Sequence, residues 1–256
     1  MRRFIKQEIH QLLLPVSIVV LSFVVMNTII GLASLKSYVY YHKIEVWEQE
    51  EELFCFLFSA VATMPVCWLV YFKRKNHYID YTVPRISKSR YLLTEWLIVA
   101  LASAFIVFTI SFVSFLAAEF AIPAVKAPDH HDESIMNHFS GYSFVKSPVL
   151  YSLKLSGWRA VLGFLLGSMG FVFSLFEKNI FVVLSGPFIF TLLDSFILAN
   201  IRIPEYSLFV SFDPSSLVQG ATSIFSFMIG VIILLFATGF LFIYYKKIKK
   251  EDIYQL

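Results

Sequence analysis

Six apolar runs, most of about twenty residues or more, interrupt the polar sequence, and that is the length an α-helix needs to cross roughly 30 Å of hydrocarbon. A chain built this way cannot hide so much apolar surface in a soluble globule; it is 58% hydrophobic and only 15% charged. The expectation is an all-α polytopic membrane protein, one domain over residues 1–256 with six transmembrane helices. The runs end or lie near Leu35, Leu53–Phe72, Leu92–Ala118, Trp158–Phe176, Ile180–Asn200 and Gly220–Tyr245. Arg2, Arg3 and Lys6 stand before the first run in the charge order of a secretory signal. That run, from Leu12 to Leu35, exceeds the about 7–15 apolar residues of a cleaved signal, so it is read as a retained first span.

Charge orients the spans. With both termini inside, 14 of the 21 Lys and Arg residues fall in inner segments, and the short segments carry most weight in the positive-inside rule. Both termini are therefore expected in the cytoplasm. Residues 1–14 place Phe4, Ile5, Ile9, Leu12 and Leu13 near one helical face, with Arg3, Lys6, Gln7 and His10 elsewhere. This predicts an amphipathic N-terminal interfacial helix that Pro15 redirects into the membrane. Glu45, Glu48, Glu50, Glu51 and Glu52 form an acidic outer group beside Tyr38, Tyr40, Tyr41 and Trp47, ring types suited to the headgroup region. They read either as a solvated helix face or as a vestibule that draws cationic peptides. Residues 119–157 form a long outer loop punctuated by Pro123, Pro128 and Pro148.

The inner loop at 73–91 is the longest polar interval on the basic side and carries Lys73, Arg74, Lys75, Arg85, Lys88 and Arg90. Pro84 ends a helix arriving through Asn76 to Tyr81, and Ser87 or Ser89 can cap the next one, so the loop reads as helix, turn, helix. Only Glu177, Lys178 and Asn179 separate the fourth span from the fifth, a tight inner hairpin.

Catalytic patterns are missing. No G-x-x-x-x-G-K-[ST] loop, H-E-x-x-H helix or G-x-S-x-G elbow occurs, so the chain is expected to be no enzyme and to carry no cofactor. Asp129, His130, His131, Asp132, Glu133 and His138 are metal-ligand types, but adjacent ligands in a Pro-flanked loop read as a solvated tip, and no metal site is expected. Cys55 and Cys67 are twelve residues apart on one helix, too far for a disulfide, and read as buried small apolar residues. Gly163, Gly167 and Gly170 form a small-residue stripe that allows close helix approach, within this chain or against a second copy. Asp194 is the only acid well inside a span, and Arg159 lies at similar depth across the hairpin. A structural Arg159–Asp194 ion pair is expected, because a lone intramembrane charge is costly.

The phrase Val83, Pro84, Arg85, Ile86, Ser87, Lys88, Ser89, Arg90, Tyr91, set between the second and third spans, resembles the type-2 ATP-binding-cassette permeases, the membrane subunits of bacterial exporters. The span order, the amphipathic start, the tight turn after the fourth span and the outer loop before the sixth agree with that family; Glu95, where relatives often show Lys, departs from it. The resemblance implies that residues 73–91 form a cytoplasmic coupling helix, with Tyr78, Ile79, Tyr81, Val83, Pro84, Arg85, Ser87 and Lys88 meeting a separate ATPase. It also implies two copies of that ATPase, which binds the ATP and Mg, and a second permease subunit, identical or homologous, in a bacterial cell membrane. The expected function is export of an amphipathic or peptidic substrate, such as an antimicrobial or cytolytic peptide, or self-protection against one; the lipid bilayer is a partner and nucleic acid is not. The reading from another class is a membrane sensor or scaffold that binds a ligand outside and a signalling partner inside.

Overall fold

The computed structural model describes residues 2–78, 88–123, 146–214 and 224–248, and every regular element among them is helical. The elements are α1 (Arg2–Ser34), α2 (Lys43–Glu50), α3 (Glu52–Lys75), α4 (Lys88–Phe120), α5 (Pro148–Phe176), α6 (Ile180–Asn200), a 3₁₀ turn (Pro204–Tyr206), α7 (Leu208–Phe212), α8 (Ile224–Ile243) and a π-helical segment that continues it (Tyr244–Ile248). Helices α1, α3, α4, α5, α6 and α8 are long and apolar enough to cross a membrane. The chain is thus an all-α, multi-pass membrane protein.

Helix α5 is the hub, packed on α4, α3, α8 and α6. Small residues let its neighbours approach. A Cβ at Gly167 would lie 2.5 Å from Ser103 Oγ and 3.2 Å from Ala100 Cα, and one at Gly163 would lie 3.1 Å from the Ser103 carbonyl, so this stripe is filled by α4. Gly170 faces α3 instead, with a Cβ there 2.5 Å from Cys67 Sγ. Of the two uses open to the glycine stripe, packing within the chain accounts for all three. Helices α3 and α5 bury most of their length, whereas α1, α6 and α8 turn apolar faces outward, as spans do where lipid is the solvent. Cys55 and Cys67 are buried and form no disulfide, and Cys55 Sγ accepts from Arg159 Nη2 at 3.4 Å.

Three boundaries differ from expectation. Residues 1–14 are not a separate interfacial helix, because α1 runs unbroken through Pro15. Glu8, Leu12 and Val16, four residues apart, are buried on one stripe that continues through Val20, Phe23 and Asn27, so packing holds the helix across the one hydrogen bond that proline removes. The 119–157 loop is shorter at both ends, since α4 reaches Phe120 and α5 begins at Pro148, a residue suited to the first helical turn. Tyr151 and Leu155 bury against Trp47 and Phe115, and that contact extends α5 about ten residues before Trp158. Finally, the acidic group at 45–52 is only in part a solvated face: Glu52 is exposed, but Glu50 and Glu51 are buried. Ile44, Val46 and Trp47 of α2 are core residues, and Trp47, expected at the headgroups, is fully buried with its indole N–H donating to the Ser111 carbonyl at 3.1 Å.

Candidate functional site

Both ends of the bundle carry buried charge. At the α2 end, Arg159 sits about three turns into α5 with 2% of its surface exposed. Its Nη1 pairs with Glu51 and donates to Ser111 Oγ at 2.7 Å, its Nε donates to the Phe212 carbonyl at 3.0 Å, and its Nη2 lies 3.8 Å from Asp213. The guanidinium also lies over the Phe212 and Trp47 rings, at 4.9 and 5.6 Å. Glu51, at the joint between α2 and α3, is 1% exposed; burial raises its carboxyl, and the neighbouring guanidinium pulls it back.

The expected Arg159–Asp194 pair does not form. Asp194 Oδ2 instead accepts from the Leu208 backbone N–H at 2.8 Å, at the start of α7. Arg159 meets the other end of the same short helix at Phe212. The two charges are thus related through α7: the carboxylate sits at its positive N-terminus and the guanidinium at its negative C-terminus. Ser207 Oγ accepts from Val210 N–H at 3.3 Å, and Trp158 Nε1 donates to the Ser211 carbonyl at 2.9 Å, so both ends are capped by side chains. A short irregular segment between two spans is tolerated where protein groups satisfy its backbone, and here α5 and α6 do so. A cleft of about 330 Å³ lies beside it, lined by Phe56, Phe58, Thr191, Ser195, Pro204 and Ser207 among others.

At the opposite end Lys73, in the last turn of α3, is buried between Glu8 of α1 and Glu95 of α4, pairing with Glu8 and lying 2.7 Å from Glu95. Arg74 donates to the Glu177 carbonyl at the end of α5, Tyr71 donates to the Lys178 carbonyl at 2.7 Å, and the Tyr245 hydroxyl donates to the Glu177 carboxylate. The bases of α1, α3, α4, α5 and the last span are therefore tied together. Lys73 and Arg74 thus anchor the start of the 73–91 segment. Just past the end of α3, His77 adopts a left-handed backbone (φ 56°). Tyr78 lines a second cavity of about 330 Å³ with Gln11, Leu69, Phe72, Lys73 and Asn76. Ile79, Tyr81, Val83, Pro84, Arg85 and Ser87 lie outside the described residues, as do the Lys88 side chain and the His130–His131 tip.

The sequence assigns no role to Glu8 or Asp213, and it places Glu51 in an acidic outer group, Lys73 in the basic loop and Glu95 as a departure from the permease pattern, none of them in a buried ion pair. A signal existed for two pairs. Lys73 and Glu95 flank one loop at similar depth, and Glu51 enters the second span at the level where Arg159 was placed. Among the described residues no group of three or more His, Cys, Asp or Glu is disposed to hold a metal ion. Comparison with protein-family models, curated proteins and solved structures finds no match to this chain.

Proposed function

We propose that the chain is the permease subunit of an ATP-driven exporter of the type-2 ATP-binding-cassette kind, moving an amphipathic or peptidic substrate. A separate ATPase, in two copies, hydrolyses the nucleotide; this chain only relays its motion. One observation carries the reading. The segment proposed to meet the motor leaves α3 beside Lys73 and enters α4 before Glu95, and those residues are locked to each other and to Glu8 of α1. A push on residues 76–90 would therefore reach three spans as one body rather than dissipate in a loose loop. In this reading the loop end and both termini face the cytoplasm of a bacterial cell, a second permease subunit completes the path, and the capped α7 segment forms the outer floor.

The test is purification of the intact chain from its native membrane, followed by mass measurement of the complex and assay of vanadate-sensitive ATP hydrolysis. A co-purifying ATPase is expected, and Ile79→Ala with Tyr81→Ala should release it while leaving membrane insertion intact. Recovery of the chain with a histidine kinase, or retention of the ATPase by the double variant, would count against this assignment.

A further inference from the structure

Glu50 ends α2 at its joint with α3, its side chain is buried, and among the described residues neither carboxyl oxygen has a hydrogen-bond partner. The side chain points into the seam between α1 and the end of α4. A Cβ added at Gly31 would collide with Glu50 Oε2, and the same spot is closed on the other side by Ile122 Cδ1, 3.0 Å away. From α1 the carboxyl meets the Gly31 backbone, from the end of α4 an isoleucine, and the charge that acts on it is that of Glu51, next in the chain. A carboxylate with neither counter-ion nor donor is too costly to keep in such a place, so the group stays neutral. Burial, and then repulsion from Glu51, push it up to about 9. The joint it occupies is mechanically connected, since Glu51 is the counter-ion of Arg159 and Trp47, one turn earlier on α2, lies against the same guanidinium.

We propose that Glu50 is a proton-controlled latch on the α2 end of the bundle. With its proton, the carboxyl stays lodged in the α1–α4 seam and α2 covers the Arg159 centre. Without it, the carboxylate must reach water or a cation, and its exit lifts α2 and the 50–51 joint from the seam. No step of this depends on the transport reading, so either can fail alone.

The experiment uses the full chain in lipid nanodiscs and follows acrylamide quenching of Trp47, isolated as the difference from Trp47→Phe. Quenching is expected to be low at neutral pH, where Trp47 is fully buried, and to rise in a one-proton step with a midpoint at about 9. Glu50→Gln, which cannot ionise, should stay at the low level throughout. Gly31→Ala drives a methyl into Oε2, and should lower the midpoint by about one pH unit or more by driving the carboxyl toward water. A flat wild-type curve, a rise retained in Glu50→Gln, or a midpoint unmoved in Gly31→Ala would each overturn the latch. If the Gln variant fails to fold, the Gly31→Ala midpoint still decides.

Discussion

Replacing Arg159 with methionine puts the α2-end ion centre under direct test. Methionine keeps an unbranched apolar stem but removes the charge and all of the donors. Glu51, 1% exposed, then loses its counter-ion, and breaking a buried pair from one side costs about 3–5 kcal/mol. The Phe212 carbonyl at the end of α7 also loses its donor, a further cost of about 1–3 kcal/mol for a buried acceptor. Some of this is recovered by relaxation, and a total near 4–6 kcal/mol is a large share of a domain's usual stability. Adding Glu51→Gln removes the stranded charge. The double variant should therefore be at least about 2 kcal/mol more stable than the sum of the two single losses. Asp194→Asn acts at the other end of α7 and should add to Arg159→Met within about 0.5 kcal/mol. Equilibrium unfolding in mixed detergent and dodecyl sulfate micelles, followed by far-ultraviolet circular dichroism, measures the wild type and every single and double variant of both cycles. Additivity of Arg159 and Glu51, or a stronger coupling of Arg159 to Asp194 than to Glu51, would refute the Arg159–Glu51 ion pair.

At the loop end, Lys73→Met should cost about 3–5 kcal/mol by stranding two buried carboxylates, whereas Glu95→Gln leaves a balanced Glu8–Lys73 pair and should cost less than about 1 kcal/mol; equal losses in unfolding would refute the triad. Gly167→Ala drives a methyl against Ser103 and should destabilise by about 1–3 kcal/mol, while Gly157→Ala, with nothing within 4 Å, should gain up to about 1 kcal/mol from helix propensity. The same melting series ranks them, and the reverse order would mean that α4 and α5 are not in close contact. Glu50, at about 9 when folded against a usual carboxyl value of 4.5, holds a proton that the unfolded chain releases. Stability therefore falls as pH rises between those values. The gain in melting temperature of Glu50→Gln over the wild type should grow from pH 6 to about 9; a pH-independent difference would show that the group carries no such proton.

The membrane class and the approximate position of every span were legible in the sequence, because run length and apolarity are local properties that need no partner to be read. The tight turn at 177–179 and the burial of Cys55 and Cys67 follow from the same local signals. Partnership is not local. The span order implies a similar depth for Arg159 and Asp194, but which faces meet depends on helix rotation and on what lies between. The 208–212 segment folds in between them and takes the Asp194 carboxylate at one end and the Arg159 guanidinium at the other. The acids at 50 and 51 looked solvated because glutamate usually is, and only the packing of Ile44, Val46 and Trp47 draws that joint inside. Pro15 is a local signal for a break, yet the stripe through Glu8, Leu12 and Val16 overrides it, since burial along a whole helix face outweighs one missing hydrogen bond. Tertiary structure thus decided where each charge is neutralised, because a buried charge takes whichever donor or counter-ion the folded helices bring within reach.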